Sequence, residues 1–140
     1  MKHPLLLMML FLPGPVFAQS KADKIVGNWT NEEADARFVI AKAGDTYSAK
    51  ITWLSQPNEV SGAPKTDKHN PDKNLRARHI IGIDIFTQLK FDNGIWDGTD
   101  VYSPEKGIYA KLKIELVDDN HLKIIGSKGV FSSTKTWVRL

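Results

Sequence analysis

Basic side chains are concentrated between residues 65 and 79. They exceed the acidic ones there by three charges, with Lys65, Lys68, Lys73, Arg76 and Arg78 against Asp67 and Asp72. Such a segment could hold an anion, for example an acyl carboxylate, a lipid phosphate or an acidic envelope polymer. Arg78 is the strongest candidate because its planar guanidinium suits bidentate anion contacts. We therefore predict an anion-binding loop formed by Asp67, Asn70, Arg76 and Arg78.

The same residues have a second interpretation, in which they serve the loop itself. Asp and Asn side chains commonly hydrogen-bond to nearby backbone in turns. Asp67, Asn70 and Arg78 would then fasten the loop's own backbone. In the anion-binding interpretation, Lys65 and Lys68 would take no part in holding the anion. The sequence leaves both interpretations open.

Metal binding and catalysis receive little support. Five side chains in the loop could ligate a metal: Asp67, His69, Asn70, Asp72 and His79. Their spacing matches neither a zinc helix motif nor a calcium loop. The chain has no cysteine and no serine in a glycine-flanked elbow, so it lacks a recognisable nucleophile. Asp97 and Asp100 differ in strand parity and should face opposite sides, which weakens an acid–base pair. We expect no catalytic residues, no metal, no cofactor and no enzymatic activity.

The first 18 residues have the organisation of a secretory signal peptide. A basic start precedes the unbroken apolar run Leu5–Leu12, and the small residues Val16 and Ala18 lie three and one positions before the expected cleavage. The run is too short to span a bilayer, which takes about 20 residues. We predict a signal peptide over 1–18 and one exported domain over 19–140, periplasmic or secreted, without a transmembrane segment.

The composition of the mature chain restricts its class. Removing 18 of 140 residues leaves 122, enough for a single core. The absence of cysteine excludes disulfides and is typical of a bacterial exported protein rather than a small eukaryotic secreted domain. Lys2 leaves with the signal peptide, so 18 basic residues face 16 acidic ones, a net charge of about +2. This near-neutral balance does not favour nucleic acid as a partner.

Alternating apolar and polar residues predict eight strands and no helix. The strands cover about Ile25–Thr30, Arg37–Lys42, Thr46–Leu54, Ile80–Lys90, Ile95–Tyr102, Ile108–Val117, His121–Ser127 and Val130–Arg139. Most connections are short, which favours antiparallel neighbours, and closure removes both sheet edges. We therefore predict an all-β fold, an eight-stranded antiparallel up-and-down barrel. A flattened two-sheet sandwich is the alternative.

The connections predict a difference between the two barrel ends, because they alternate from one end to the other. Tight turns at Gly44, Asn93-Gly94 and Asp119-Asn120 share one end. The 25-residue segment 55–79 belongs to the opposite end, and a loop of this length is usually functional or disordered. One end should be pinched and the other could carry a lid.

Four residues near the two ends of the domain are predicted to close the barrel: Gly27, Trp29, Trp137 and Arg139. The small glycine would allow close backbone approach, and the Trp29 indole would plug the closed end. Arg139 could lie flat on that indole, a cation–π contact of about 0.5–2 kcal/mol.

Gly27-Asn28-Trp29 with a late arginine resembles the signature of the lipocalins and other calycins. A narrower resemblance, to a bacterial secreted family labelled as a domain of unknown function, spans Ile25 to Arg139. Its motifs are Gly62-x-Pro64-x-x-Asp67-x-x-Asn70-Pro71-Asp72, Leu75-x-x-Arg78-x-x-x-Gly82, Trp96-x-Gly98, Val101-Tyr102-x-Pro104-Glu105-x-Gly107-x-Tyr109 and Thr136-Trp137-Val138-Arg139. The resemblance implies an exported lipocalin-like barrel that binds a small apolar molecule and has no established enzymatic activity. The chain departs from the family at Thr99, where a second glycine is frequent, and at Ser103, where an aspartate often precedes the turn proline.

The inward positions of the best strands are apolar: Tyr47, Ile51, Trp53, Ile81, Ile83, Ile85, Leu112, Ile114, Leu122 and Ile124. Such side chains either fill an eight-stranded barrel or surround one small ligand. Ala110 and Gly126 leave room and favour a cavity. We predict an apolar or amphipathic ligand in contact with Tyr47, Ile51, Trp53, Ile83, Ile85, Leu112, Ile114 and Ile124. The alternative is an envelope or protein interaction module without an internal ligand, acting through loop 55–79 or the exposed aromatics Tyr102, Tyr109 and Phe131.

Overall fold

The computed structural model describes residues 21–140, so the expected signal peptide lies outside the described residues. Nine strands follow a short 3-10 helix at Asp23–Ile25. They are β1 (Gly27–Asn31), β2 (Ala36–Ala43), β3 (Thr46–Leu54), β4 (Asp84–Asp92), β5 (Ile95–Asp97), β6 (Asp100–Ser103), β7 (Ile108–Asp118), β8 (His121–Lys128) and β9 (Phe131–Arg139). A second 3-10 helix, Lys73–Leu75, lies in the long loop between β3 and β4.

The strands form one closed antiparallel barrel with eight strand positions. β1 pairs with both β2 and β9, and the sheet continues on either side to β5 and to β7. Trp96 of β5 pairs with Ile114 of β7, which closes the ring. The predicted fold class is confirmed, and the sandwich alternative is excluded by this closure.

The fifth strand position is interrupted. The segment predicted as one strand, Ile95–Tyr102, forms β5 and β6, separated at Gly98, whose φ is 90°. β5 pairs with the end of β4, whereas β6 pairs only with β7. The first half of β4 therefore faces β6 without ladder hydrogen bonds between them. The wall has a lateral gap at this place.

The N-terminal segment fills the narrow end of the barrel. The indole Nε1 of Trp29 donates to the Ile25 carbonyl at 2.9 Å, and Nε1 of Trp96 donates to the Ala22 carbonyl at 3.0 Å. Asp23 accepts a hydrogen bond from the Tyr47 hydroxyl and forms an ion pair with Lys42. Both buried indoles are thus satisfied by backbone that the short helix brings across the opening.

Arg139 joins the last strand to the first. Its guanidinium carbon lies 4.2 Å from the centre of the Trp29 ring, and Nη1 donates to the Val26 carbonyl at 3.0 Å. Gly27, with φ of 140°, is close by: a Cβ there would lie 2.8 Å from Nη1 of Arg139. The space that glycine leaves is therefore occupied by the arginine side chain. Trp137 stacks on Phe38, with 4.1 Å between ring centres.

A β-bulge makes the predicted inward position of Trp53 wrong. Arg37 pairs with Trp53 and Phe38 with Ile51, so Thr52 has no opposite residue. The extra residue reverses the side of the sheet that the end of β3 presents. Trp53 is 37% exposed, and the Arg37 guanidinium lies over its ring at 4.5 Å.

Two further positions differ from expectation. β4 begins at Asp84 rather than at residue 80, and Ile81 in the preceding turn is 41% exposed. Tyr102, expected on the surface, is only 3% exposed because its hydroxyl reaches a buried carboxylate in the long loop. Tyr109 and Phe131 are exposed, as expected.

Candidate functional site

The wide end of the barrel holds an open cavity of about 960 Å³. Its lower walls are apolar and come from strands on opposite sides of the barrel: Phe38, Ile51, Ile85, Val101, Ala110, Ile124 and Trp137. The stacked rings of Phe38 and Trp137 separate it from the filled narrow half, where Trp29, Ile40 and Leu122 are fully buried. The narrow half of the interior is therefore a packed hydrophobic core, and the wide half is an open cavity.

The predicted ligand contacts divide between these halves. Ile51, Ile85 and Ile124 line the cavity. Tyr47, Ile83, Leu112 and Ile114 are buried in the hydrophobic core and do not line it, and Trp53 lies outside the barrel. Sequence reasoning missed Phe38 and Trp137, which also line the cavity. Phe38 alternates with Ile40 on β2, and applying the inward pattern to that strand would have found it.

Small side chains keep the cavity open. A Cβ on Gly126 would lie 3.5 Å from the Cβ of Ala110 and 4.0 Å from Val101 Cγ1, which is ordinary contact. Gly126 and Ala110 both line the cavity from β8 and β7. Larger residues at these two positions would extend into the cavity.

The mouth of the cavity is polar. Lysines contribute to it from the long loop and from the β6–β7 and β8–β9 hairpins: Lys65, Lys68, Lys106, Lys128 and Lys135. Three acids are also present, Asp35, Glu59 and Glu105, and Glu59 pairs with Lys68 at 3.2 Å. Apolar walls below a mainly basic rim suit an amphipathic molecule.

A buried carboxylate fastens the long loop to the barrel. Asp67 has no exposed surface, and its two oxygens accept three hydrogen bonds. The donors are the Tyr102 hydroxyl at 2.6 Å, the Asn70 amide at 2.7 Å and Arg78 Nε at 2.9 Å. Since Tyr102 belongs to β6, the network ties the loop directly to the wall. A fully paired network of this kind fixes one conformation.

The four residues predicted to bind an anion all make contacts within the protein. Asp67 and Asn70 are buried, and the Asn70 side-chain oxygen accepts from the Asp72 backbone. Arg76 Nε donates to the Asn70 carbonyl at 2.7 Å. Arg78 is engaged with Asp67 and lies 5.9 Å from the Tyr102 ring centre. These are the contacts expected when the side chains fasten the loop's own backbone.

A smaller cleft of about 300 Å³ lies at the lateral gap between β4 and β6. Polar residues line most of it: Arg78, Asp84, Thr87, Thr99 and Asp100. Ile85 and Tyr102 border both this cleft and the large cavity. The two side chains form the partition between the interior and the outside at this side.

The fold and the motifs agree with the comparisons. A family model described as "Uncharacterized protein conserved in bacteria (DUF2147)" matches residues 27–139. The chain belongs to this family. The resemblance predicted from the motifs is therefore confirmed, and the match includes both strands of the closure as well as the long loop.

Among the solved structures that this DUF2147 member resembles is "Protein HP1028 from the human pathogen Helicobacter pylori belongs to the lipocalin family". The two chains are 21% identical, the match covers 83% of this chain and 82% of that one, and the TM-score is 0.69. The likeness shows a shared lipocalin-like fold. No curated protein matches the chain significantly.

Two negative observations concern the described part of the DUF2147 chain. No group of three or more His, Asp or Glu side chains between residues 21 and 140 could hold a metal ion. None of the helical segments in the same range is long and apolar enough to cross a bilayer.

The stability of the DUF2147 barrel is expected to fall as the pH rises above about 10, the ordinary pKa of tyrosine. Burial raises the pKa of Tyr47 and of Tyr102, and the hydrogen bonds to Asp23 and Asp67 raise them further. The folded chain keeps both phenolic protons in a pH range where the unfolded chain loses them. The unfolded state then binds fewer protons, so the free energy of unfolding decreases with pH.

Urea unfolding at a series of alkaline pH values measures this slope. A Tyr47→Phe/Tyr102→Phe variant lacks these two phenols and keeps every other side chain, so its free energy of unfolding should fall less steeply with pH above about pH 10. Equal slopes for the two proteins would contradict the assignment.

Proposed function

We propose that the protein binds a small apolar or amphipathic ligand in the open half of its barrel. The cavity of about 960 Å³ at the wide end carries the proposal. Ligand pockets in proteins typically measure about 300–1,000 Å³, are mostly apolar and contain a few polar groups that orient the ligand. An apolar chain would lie on Phe38, Ile51 and Ile124, with its polar end among the lysines of the rim.

The attachment of the long loop supports a binding role in which the loop is a wall. Glu59, Lys65 and His69 of this segment line the cavity, and Asp67 fixes the segment to Tyr102. A loop held in one place keeps the cavity preformed, which lowers the entropic cost of binding.

The protein's role, as we propose it, is non-catalytic, and the chain is exported to the periplasm or beyond. The first part is supported by the lipocalin-like fold and by the use of Asp67, Arg76 and Arg78 in structural contacts. The second part is supported by the signal-peptide pattern of residues 1–18.

Native mass spectrometry of freshly purified protein, followed by solvent extraction, tests for a bound molecule. Titration with a fluorescent fatty acid tests the cavity directly. The expected result is saturable one-to-one binding with a rise in probe fluorescence. Failure of both apolar and amphipathic probes to bind, together with a protein mass free of any adduct, would overturn the proposal.

An Ala110→Leu variant is expected to bind the fluorescent fatty acid at least about tenfold more weakly, because a clash of one or more methylenes in a pocket costs about 1–3 kcal/mol. Its stability should change little, since the added atoms enter open space beside Gly126. Ala41→Leu, on the exposed part of β2, is the matched control and should bind as the unaltered protein does. Equal affinities for the two variants would locate the ligand elsewhere.

A further inference from the structure

The end of the barrel that contains the cavity mouth also has a projecting hairpin. β8 and β9 pair with each other as far as Lys128 and Phe131, whereas β1 pairs with β9 only from Trp137 onward. Residues 131–136 therefore extend beyond the first strand by about 20 Å, at about 3.3 Å per residue. The tip of the β8–β9 hairpin therefore projects farther from the barrel than the rest of this side of the mouth.

The tip of this hairpin is apolar and open to solvent. Val130 is 93% exposed and Phe131 is 78% exposed. Val130 follows the turn glycine Gly129, and Phe131 is the first residue of β9 and borders the cavity. Adjacent large apolar side chains at the rim of a cavity mark an interaction surface.

Lysines surround this tip. Lys128 precedes it, Lys135 follows it on β9, and Lys106 is contributed by the neighbouring β6–β7 turn; all three line the mouth and are exposed. Glu32 and Glu33 in the β1–β2 connection lie at the same end of the barrel. Because β1 stops at the level of Trp137, these acids lie behind the projecting hairpin and not at its tip. The leading surface is therefore apolar and, with three lysines against Glu105 beside Lys106, basic on balance.

The turns at the narrow end contain acidic residues, and basic residues lie beside them. These turns contain Asp45, Asp92, Asp118 and Asp119, against Lys24 paired with Asp119 and His121 paired with Asp118. The lysines around the hairpin tip give the mouth end a local attraction for a negatively charged surface.

We propose that the mouth end docks on an anionic lipid bilayer. Val130 and Phe131 enter the boundary between headgroups and acyl chains, and Lys128 and Lys135 contact the phosphates. Interfacial binding combines buried apolar area with attraction to anionic lipid, and each lysine near such a surface contributes about fivefold in affinity. Docking places the cavity opening against the membrane. Lys128, Phe131 and Lys135 lie at the rim of the cavity, whereas Ala110 lies inside it, so vesicle binding does not depend on an internal ligand.

Sedimentation of the mature protein with sucrose-loaded vesicles tests this. Binding is expected with vesicles of phosphatidylcholine mixed with phosphatidylglycerol, little with phosphatidylcholine alone, and release as salt is raised. The Lys128→Gln/Lys135→Gln variant should bind about 25-fold more weakly, the product of two lysine contributions. Val130→Ser/Phe131→Ser should lose binding, and Phe131→Trp should keep it and show indole quenching by brominated lipid.

Val117→Ser and Lys90→Gln, two exposed residues toward the narrow end, are the matched controls and should bind normally. Absence of binding to the anionic vesicles, or equal loss in tip and control variants, would overturn the proposal. So would light scattering that shows a dimer dependent on Val130 and Phe131 without lipid, since the surface would then join two copies. Ala110→Leu should still bind vesicles, which separates a failure of the docking proposal from a failure of the ligand proposal.

Discussion

A Gly107→Ala variant is expected to lose about 3 kcal/mol of folding stability, from left-handed backbone strain of about 1 kcal/mol and overpacking of about 2 kcal/mol. Gly107 lies in the β6–β7 turn with φ of 65°. A Cβ there would be 2.0 Å from the carbonyl oxygen of His69 in the long loop. Because that neighbour is backbone, no rotamer change can relieve the overlap, and the loop itself must move away from the barrel.

Gly129→Ala is the matched control for this prediction. Gly129 has φ of 60°, and its Cβ would meet nothing within 4 Å. Only the conformational cost of about 1 kcal/mol should remain. Chemical denaturation gives both values, and limited proteolysis should cut loop 55–79 in the first variant faster than in the second. If the two variants are equally stable and equally resistant, the packing of His69 on Gly107 contributes nothing.

An Asp67→Ala variant is expected to lose about 4 kcal/mol, because removing one member of a buried charged network typically costs about 3–5 kcal/mol. The substitution leaves the Tyr102 hydroxyl and the Asn70 amide buried without their acceptor. It also frees Arg78 Nε, which remains partly solvated. The loop should detach, and binding of a ligand at the mouth should weaken with it.

Asp45→Ala, an exposed acid in the β2–β3 turn, is the matched control, and its stability should change by no more than about 0.5 kcal/mol. A double-mutant cycle with Tyr102→Phe then isolates the contact across 35 residues of chain. A coupling energy near zero would mean that the loop is held by other contacts, even if Asp67→Ala is destabilising.

The barrel could be predicted because its signals are local. Apolar alternation and tight turns at Gly44, Asn93 and Asn120 specify eight strand positions and their order. Trp29 and Arg139 predicted that the first and last strands are neighbours, and the guanidinium carbon of Arg139 lies 4.2 Å from the centre of the Trp29 ring. Each of these features depends on residues near one another in sequence or on one distinctive pair.

The wrong predictions for Trp53 and for the segment Ile95–Tyr102 have one physical cause, which is irregular pairing between strands. Nothing near Thr52 indicates that it lacks an opposite residue, since the alternation of Ile51 and Trp53 continues through the bulge. Likewise, Gly98 interrupts a segment whose apolar residues suggest one strand. A bulge or break depends on the neighbouring strand, which the local sequence does not describe.

The role of the polar residues in loop 55–79 could not be predicted from the sequence. Its composition of Asp, Asn and Arg suits both an exposed anion site and an internal network. The deciding partner, Tyr102, lies 35 positions away and looks like an exposed strand residue in the sequence. The sequence also could not predict which part of the interior is core and which is cavity. That division depends on how far the Phe38–Trp137 stack lies from the mouth.

The two ends of the described chain lie together at the plugged end of the barrel. Ala22 is held there by Trp96, and the Leu140 backbone donates to the Asn28 carbonyl. A fusion partner or surface tether attached near either of these ends would consequently leave the cavity mouth at the opposite end accessible. An immobilised molecule would present its cavity mouth to the solution, where a fluorescent fatty acid or a vesicle can reach it.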